Sequence, residues 1–433
     1  MKITIHRGKD QIGGCITEIK SNSGTRVLID LGHLLPEGGK PAKDIYDIPE
    51  ELDKILDGVS AVFYTHYHGD HIGFEAGVYR KGIPQYLGPT ARVVLMKLYA
   101  HMKNAPKLKA QATANFEALL NFKDYTAQNS VEVGDIKLTP FFVSHSAADA
   151  YMFLIECDGK KVLHTGDFRE HGYLGKGLMP TINKLIKWRH IDVLITEGTM
   201  LSRDNAKVLT ESELQQQARD LMKEYKNLFV LCSSTDQDRL ASFYQATMKT
   251  EGRKFVVDGY QLKQLKLFSK TSGHFSPLYR FNEVHNYDAE KATLLQEMTE
   301  NGFTMLIRNN DFFKTRLAEI IPLIDLSKTA LVYSQFSGYL DKNFKAYNKD
   351  IDEFVHLYDW EFKPLHTSGH ATKETLAKVC NAVNPKTAII PIHREAKANF
   401  KSLDISEELK SKVVENKTDI DGESFTLTKD HLR

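Results

Sequence analysis

The stretch Thr65-His66-Tyr67-His68-Gly69-Asp70-His71 decides the fold, because it places three imidazoles and a carboxylate within six residues. On an extended segment His66 and His68 project to the same side, and a helix that begins at Asp70 would point Asp70 and His71 back toward them. Imidazole and carboxylate are ligands that suit zinc and manganese. A surface histidine cluster is the alternative interpretation. The stretch predicts ligands for about two metal ions and leaves both coordination spheres incomplete.

Further candidate ligands follow short apolar runs that read as strands. Each of these runs leads into a candidate residue: 27–29 into Asp30, 62–64 into Thr65-His66, 162–163 into His164 and then Asp167, 193–195 into Glu197, and 389–392 into His393. His145 follows a further predicted strand at 136–143. Taken singly, such a residue is more often a cap or a hydrogen-bonding group. Because α/β sheets open their binding crevice at the carboxyl ends of strands, the set together predicts one site.

The order of apolar runs predicts an α/β protein with an insertion. Asp158-Gly159 between two alternating runs is a strong signal for a two-residue hairpin turn. Clusters of titratable residues become sparse after residue 205, where predicted strands at 228–232, 254–257 and 330–333 alternate with helix-length segments. We therefore expect a core in two parts, residues 1–204 and 363–433, that flanks an inserted domain at residues 205–362.

Composition restricts the class of protein and its partners. The 433 residues carry 57 Lys and Arg against 56 Asp and Glu, so no overall basic field favours nucleic acid. The four cysteines are far apart and form no CxxC pair, which argues against a disulfide framework or a zinc ribbon and favours a reducing cytoplasm. No apolar run approaches the roughly 18 residues of a membrane span. We expect a cytoplasmic protein without a membrane partner.

In this order the motifs resemble the metallo-β-lactamase fold and, within it, the β-CASP nucleases, most closely the bacterial ribonuclease J group. The matching segments are residues 65–73, Ser144-His145-Ser146, residues 164–168, Glu197-Gly198, residues 366–371 and Pro391-Ile392-His393. The first segment is typical of the whole superfamily, whereas Glu197, His370 and His393 narrow it to β-CASP. The resemblance implies an αββα sandwich with an inserted β-CASP α/β domain. In this family DNA-directed members tend to have an aliphatic residue at the last of these positions, so the resemblance with a histidine at position 393 favours RNA over DNA.

The resemblance also implies a role for each ligand residue. His66, His68 and His145 would hold a first zinc ion, Asp70, His71 and His393 a second one, and Asp167 would bridge the two; manganese is a possible replacement. Two divalent ions about 3.5–4 Å apart can share a hydroxide and clamp a phosphoryl group. Asp30 would orient a ligand histidine from outside the coordination sphere, and a simple strand-ending cap is its alternative role.

Two further groups of residues are assigned to the reaction and to phosphate binding. His370, ordered by Glu197, is suited to protonate the leaving 3′ oxygen. Ser368 and Gly369 precede a predicted helix whose backbone N–H groups could bind a phosphate, although Ser368 could equally serve in capping. Ser233 and Ser234 form a second candidate of this kind. There the chain departs from ribonuclease J, which has a different Ser-Asn-Leu-His-type stretch.

Two local basic segments are candidates for RNA binding. Residues 253–280 hold six basic residues against one acidic residue, interleaved with aromatic side chains that could stack on bases. Residues 91–125 hold six basic residues against two acidic ones. Solvated helix faces that cover core aromatics are the alternative interpretation for both.

The sequence thus predicts a zinc-dependent hydrolase that cleaves phosphodiester bonds of single-stranded RNA. One alternative is a small-molecule metallo-hydrolase of the lactonase or glyoxalase kind, which would share the first motif. Another is a non-catalytic RNA-binding β-CASP subunit, against which the filled ligand positions argue. Exonucleolytic and endonucleolytic modes both stay open, and a homodimer is a possibility by resemblance.

Overall fold

The protein is described by a computed structural model that covers residues 1–203 and 208–414 and the backbone of residues 425–427. The chain forms two compact units. The first unit comprises Met1–Leu35, Ala42–Lys207 and Gly369–Arg433, and the second comprises Pro36–Pro41 and Val208–Ser368. The domain boundary expected at 204/205 lies outside the described residues, and the one expected at 362/363 lies a few residues before the change of unit at Gly369.

Strands β1–β19 of the described residues are, in chain order, Lys2–Arg7, Ile16–Lys20, Arg26–Ile29, Ala61–Phe63, Gln85–Leu87, Lys123–Asp124, Val131–Val133, Ile136–Val143, Ala150–Cys157, Lys160–His164, Val193–Glu197, Asn227–Cys232, Lys254–Val257, His285–Asn286, Phe303–Ile307, Thr329–Ser334, Glu361–Pro364, Ala388–Ile392 and Phe425–Leu427. Helices α1–α14 are Pro49–Leu56, Glu75–Arg80, Pro89–Met102, Lys109–Leu120, Leu178–Thr181, Glu211–Glu224, Gln237–Met248, Gly259–Lys270, Ser272–Phe275, Tyr287–Asn301, Asp311–Ile320, Lys349–Val355, Lys373–Val383 and Glu407–Ser411. This mixture confirms the expected α/β class.

The first unit is built on two mixed sheets that pack face to face. One has the order β19-β1-β2-β3-β4-β5-β6, and the other has the order β18-β11-β10-β9-β8-β7. Ile29 and Phe63 from the first sheet share a buried apolar cluster with Phe153, Ile195 and Ile390 from the second. The predicted hairpin is confirmed, because β9 and β10 pair antiparallel and both turn residues, Asp158 and Gly159, have positive φ.

Helices cover the outer faces of this sandwich. Leu376, Val379 and Cys380 of α13 recur at helical spacing, and they pack with Leu163 and Leu194 of the second sheet in another buried cluster. On the first sheet, α2 packs against β5. The first unit is therefore layered helix, sheet, sheet, helix, and its strands β3, β4, β10, β11 and β18 end where the candidate ligands begin.

The second unit is an open parallel sheet with the order β14-β13-β15-β12-β16-β17. Its strands read as near-continuous apolar runs because helices cover them. Phe229 and Met305 pack with Met298 of α10 and with Phe313 and Leu317 of α11. The strands predicted at 228–232, 254–257 and 330–333 are confirmed by β12, β13 and β16. Among the described residues no helix combines the length and the apolar character that crossing a bilayer requires.

Candidate metal centre

The loop that carries the first motif is a bent turn between β4 and α2. After Phe63 the backbone bends, and the N–H groups of His71 and Ile72 both donate to the carbonyl of His68, at 2.9 and 3.0 Å. The prediction that a helix begins at Asp70 is wrong, since α2 begins at Glu75. The carbonyls of this loop accept hydrogen bonds from other segments, and the Asp70 carbonyl accepts from Cys15 N–H. The carbonyls of residues 71 and 69 accept in the same way from the N–H groups of residues 31 and 33. These carbonyls therefore form no helical hydrogen bonds.

Asp167 lies where the candidate ligands converge. Its Oδ2 is 3.1 Å from His71 Nε2, 3.8 Å from His393 Nε2 and 3.9 Å from His145 Nε2. These residues lie 96, 226 and 22 positions from Asp167 in the chain, by their numbers. Burial leaves the Asp167 side chain only 3% exposed. The carboxylate therefore faces histidines supplied by three separate segments of the first unit.

Two groups of ligand atoms near Asp167 are each close enough to share a cation. The nitrogens of His66, His68 and His145 lie within 4.8 Å of one another, and so do ligand atoms of His66, His71 and Asp167. Asp70 Oδ2 is 3.1 Å from His393 Nε2, so the carboxylate predicted to share an ion with His393 lies close to it. The structure thus brings together all seven residues predicted as ligands, His66, His68, Asp70, His71, His145, Asp167 and His393.

Four of the histidines are oriented by oxygen atoms at Nδ1, which leaves Nε2 directed into the site. Asp30 Oδ2 accepts from His71 Nδ1 at 2.8 Å, and the carbonyl of Gly369 accepts from His145 Nδ1 at 2.7 Å. Thr65 Oγ1 donates to Asp30 and lies 3.0 Å from His66 Nδ1. Thr199 Oγ1 lies 2.7 Å from His393 Nδ1. Such outer contacts set the tautomer and ring orientation of metal-binding histidines.

Two of these nitrogens test whether the residues fit a cation. Nε2 of His66 and Nε2 of His71 are buried and form no hydrogen bond within the described part of the chain. His71 Nε2 does have a close ionic contact, since Asp167 Oδ2 lies 3.1 Å from it. Unsatisfied buried nitrogens are costly unless something fills the space between them. The clusters therefore indicate metal binding.

Electrostatics of the site agree with a cation-binding role. Burial lowers the pKa of His66 and His145 well below its usual range and that of His68 to about 4, which keeps these rings neutral. Burial opposes ionisation of Asp167, but the neighbouring His393 and His71 outweigh it and hold the pKa of that carboxyl well below its usual range. Burial opposes protonation of His71 and His393 as well, but Asp167 outweighs it and raises the pKa of both rings. Metal ligands need neutral imidazoles and ionised carboxylates, so a bound cation would replace the protons on His71 and His393, whereas His66, His68, His145 and Asp167 are already in the required state.

His370 stands beside the ligand cluster with Glu197. Its Nδ1 is 3.1 Å from Glu197 Oε2 and 3.5 Å from Asp167 Oδ2, and its side chain is 20% exposed. Glu197 is fully buried, and its Oε1 accepts from the backbone N–H groups of Phe168 and Ala371. Glu197 is therefore held in place by the backbone and can orient His370, whose ring reaches solvent.

The residues predicted to bind phosphate have local structural roles. Thr372 caps α13 by accepting from Thr375 N–H, and Gly369 packs so closely on Ser146 that a side chain there would collide with it. In the second unit, Asp236 caps α7, and Ser234 Oγ lies 3.4 Å from Gln261 Nε2. Ser233 lies at the surface, and Ser368 is buried. Phosphate binding by Ser233, Ser234, Ser368 and Gly369 stays a prediction.

Sequence reasoning did not identify Thr199 or the carbonyl of Gly369 as groups that orient ligands. Thr199 lies two positions after the predicted strand-end residue Glu197, and this closeness to a strand end is the only feature of the sequence that indicates a place near the site. Gly369 was considered for its N–H, whereas the structure uses its carbonyl. No residue pattern encodes a backbone carbonyl that contacts a histidine 224 positions away.

The basic segment 253–280 separates into buried and exposed parts. Arg253 is buried and donates to the carbonyls of Phe303, Met222 and Tyr225, so it stabilises the second unit. Of the five aromatics, Phe275 is 87% exposed, and the others are buried: Phe255, Tyr260, Phe268 and Tyr279. The suggested stacking surface is therefore wrong for four of the five. Three exposed lysines remain on one face of α8, namely Lys263, Lys266 and Lys270.

In the segment 91–125 part of the charge is also paired. Arg92 contacts Asp124, and the Lys103 ammonium lies over the ring of Phe116 at 3.8 Å from its centroid. Lys107 and Lys109 are exposed. This segment is consequently a weaker candidate for a polyanion surface than the lysine face of α8.

Comparison with known proteins adds independent information. Residues 25–228 match the family described as the beta-lactamase superfamily domain. The chain is 22% identical over 408 residues to ribonuclease J of Helicobacter pylori strain B128, covering 91% of this chain and 56% of that protein. It is 24% identical over 425 residues to ribonuclease J of Thermus thermophilus, covering 92% of this chain and 69% of that protein. The chain therefore spans little more than half the length of the Helicobacter relative.

Two further relatives extend this picture. An RNase J-like protein of Methanocaldococcus jannaschii is 30% identical over 208 residues, which are 46% of this chain and 42% of that protein. A crystal structure of a protein of unknown function from Enterococcus faecalis V583 superposes with a TM-score of 0.71 at 20% identity, covering 98% of this chain and 99% of that one. At that identity the superposition bears on the fold alone.

Proposed function

Since the chain has a metallo-β-lactamase fold and is ribonuclease J-like over most of its length, we propose that it is a metal-dependent hydrolase that cleaves phosphodiester bonds of single-stranded RNA. One observation carries the proposal: buried histidine nitrogens from three chain segments converge on Asp167 Oδ2, beside an His370–Glu197 pair. Nε2 of the buried His66 also forms no hydrogen bond with any described residue, as expected of a nitrogen that faces a cation.

In this proposal the resident ions are two Zn²⁺, with Mn²⁺ as the alternative. His66, His68 and His145 would hold one ion, Asp70, His71 and His393 the other, and Asp167 both. Bound there, such ions polarise a phosphoryl oxygen and make water acidic enough to attack at neutral pH. The chain's own contribution is a rigid set of ligands, because Asp30, Thr65, Thr199 and the Gly369 carbonyl each hold one imidazole by its Nδ1.

His370 supplies the proton for the leaving group. Glu197 accepts from Nδ1, so the protonated ring presents Nε2–H to the 3′ oxygen as the phosphodiester bond breaks. Backbone N–H groups keep Glu197 in its buried position, which fixes the direction of the ring. General-acid catalysis of this kind contributes about 10²–10⁴-fold to a rate.

The substrate is a polyanion, and the exposed lysines of α8 support this part of the proposal. Lys263, Lys266 and Lys270 recur three and four positions apart, and the chain has no overall basic excess that would bind nucleic acid elsewhere. The four cysteines are buried free thiols, which suits a reducing cytoplasm. A homodimer stays a prediction.

The test uses single-stranded RNA with a label at its 3′ end and a monophosphate, triphosphate or hydroxyl at its 5′ end. Purified protein with measured zinc content is incubated with each RNA, with the matching DNA, and with lactone and thioester substrates. Stepwise shortening that depends on the 5′ group indicates an exonuclease, whereas internal products that do not depend on it indicate an endonuclease.

Intact RNA together with opened lactone or thioester would contradict the proposal in favour of a small-molecule hydrolase. Retained RNA binding without any cleavage by metal-loaded protein would favour a non-catalytic binding subunit. Cleavage that disappears with a chelator and returns with zinc is the result we expect.

A further inference from the structure

Cys15 lies against the metal-binding residues, although the cysteine spacing of the sequence predicts no metal ligand. Its Sγ and one nitrogen each of His71 and His393 lie within 4.8 Å of one another, and all three side chains are buried. Cys15 is 1% exposed and forms no disulfide. Metal–ligand distances are about 2.0–2.3 Å, so two ligands of one cation lie at most about twice that distance apart. Small side-chain shifts would bring these three atoms within that range.

The backbone around Cys15 is tied to the same residues. Cys15 N–H donates to the carbonyl of Asp70 at 2.9 Å, and Gly32 N–H donates to the carbonyl of Cys15 at 3.2 Å. Gly8 accepts from the N–H of His393, so the loop that contains Cys15 is connected to ligands of the second ion on both sides. The position of the thiol therefore depends on the same contacts that hold Asp70 and His393.

Gly8 leaves space for the sulfur atom. A Cβ built on Gly8 would lie 3.0 Å from Cys15 Sγ, closer than side chains ordinarily approach, and its φ of +94° also favours glycine. His71, one of the two histidines in this cluster, also places its buried Nε2 3.1 Å from Asp167 Oδ2, so the thiol lies beside a group already assigned to the second ion.

We propose that Cys15 Sγ is an additional ligand of the ion held by Asp70, His71 and His393, and that it makes this position selective for zinc over manganese. On binding, the S–H bond is replaced by an S–metal bond and the thiol proton leaves to solvent. Thiolate is a soft ligand that favours zinc, whereas manganese prefers oxygen ligands. This inference rests on the metal site of the proposed function and adds a ligand to it.

The experiment replaces zinc with Co²⁺ in the full-length protein, because a thiolate bound to cobalt produces a charge-transfer band in the near ultraviolet. Wild type, Cys15→Ser and the control Cys380→Ser are titrated with Co²⁺ while bound cobalt is measured. Cys380 is a matched control, since it is also a buried free thiol of the first unit.

We expect the band in wild type and in Cys380→Ser and its loss in Cys15→Ser. We also expect Cys15→Ser to reduce the preference of one site for zinc over manganese. The loss of a direct ligand should have at least the effect of losing an outer contact, which changes metal affinity by roughly 10–100-fold. If Cys15→Ser does not fold, X-ray absorption of zinc-loaded wild type decides, with zinc–sulfur scattering expected at about 2.3 Å.

Four results would overturn the inference. Cobalt bound without a charge-transfer band, or zinc with only nitrogen and oxygen neighbours, would remove Cys15 and leave the seven-residue site intact. A band that persists in Cys15→Ser would assign the thiolate elsewhere. A wild type that binds no cobalt and no zinc would overturn both the inference and the metal site of the proposed function.

Discussion

Asp167 is the residue on which the geometry of the site depends most. A carboxylate with 3% exposure is destabilised by burial unless opposite charges or donors surround it. Here His71, His393 and His145 lie 3.1, 3.8 and 3.9 Å from Oδ2, and His370 lies at 3.5 Å. Because one oxygen atom faces both ligand groups, the loss of this side chain affects both.

Removal of Asp167 and removal of His370 should have separable effects. Asp167→Ala should lower the metal content and abolish RNA cleavage, because no oxygen would remain to join the two ligand groups. His370→Ala should retain the metals and lose about 10²–10⁴-fold in single-turnover rate, since only the proton donor is missing. Elemental analysis and single-turnover cleavage of both variants provide the measurement. Parental activity in both would disprove the assigned site.

Glu18 should make the folded state sensitive to acid. Burial alone would raise the pKa of Glu18, but hydrogen bonds from His6 and Arg26 outweigh it and lower that pKa from 4.5 to about 2. A carboxyl whose pKa is lower in the folded than in the unfolded state stabilises the fold above about pH 4.5, and this contribution disappears as the pH falls toward 2.

We therefore expect Glu18→Gln to lose about 1–2 kcal/mol of unfolding free energy near neutral pH, less than the full pKa shift because solvent partly screens the cluster. The difference from wild type should shrink as the pH falls below about 4.5. Urea unfolding at a series of pH values measures both quantities. A difference that does not change with pH would contradict the assignment to Glu18.

At the scale of elements, α6 and α7 of the second unit are joined by a buried ion pair. Arg239 of α7 is 3.1 Å from Glu211 at the start of α6, and both side chains are nearly inaccessible. Arg239 also donates to Ser334 and to the carbonyl of Thr367. These contacts connect the two helices to the end of β16 and to the segment that follows β17.

Arg239→Ala should destabilise the second unit by about 3–5 kcal/mol, because it leaves Glu211 as an uncompensated buried charge. Unfolding can be followed by the fluorescence of Trp360, which is buried in this unit, in a background that carries Trp188→Phe. Lys223→Ala is the control, since its exposed pair with Asp220 should contribute less than about 1 kcal/mol. Equal losses of unfolding free energy in the two variants would show that the buried pair stabilises the unit no more than an exposed pair does.

At the scale of the whole molecule, charge is balanced overall and concentrated locally. Because acidic and basic residues are nearly equal in number, the proposed polyanion binding would have to use small exposed groups such as the lysine face of α8. A binding mode of this kind depends on counterion release and therefore weakens as the salt concentration rises.

Replacement of Lys263, Lys266 and Lys270 by Ala should weaken binding of single-stranded RNA and make it less dependent on salt. Each lost phosphate contact lowers the slope of log K against log salt by about 0.7, so the triple variant should lose about 2 units. Fluorescence anisotropy at several salt concentrations provides the slopes. The control replaces three similarly exposed lysines elsewhere, namely Lys342, Lys349 and Lys397. An unchanged slope in the α8 variant would exclude this surface from RNA binding.

Local sequence signals determined the strands, the Asp158-Gly159 hairpin and the kinds of candidate ligand at the strand ends. Alternation, turn residues and helical spacing act over a few neighbouring positions, so they can be read without knowledge of the fold. The same signals failed at Asp70, where hydrogen bonds to Cys15 and to residues near Gly32 replace the expected helix.

Only the tertiary structure decided which distant groups meet. The Gly369 carbonyl reaches His145, Thr199 reaches His393, and Cys15 reaches His71 because strand ends from separate parts of the chain converge at the site. It also decided that Arg253 is buried on backbone carbonyls while the lysines of α8 are exposed. Such contacts depend on how the sheets and helices pack, and no local pattern of residues specifies them.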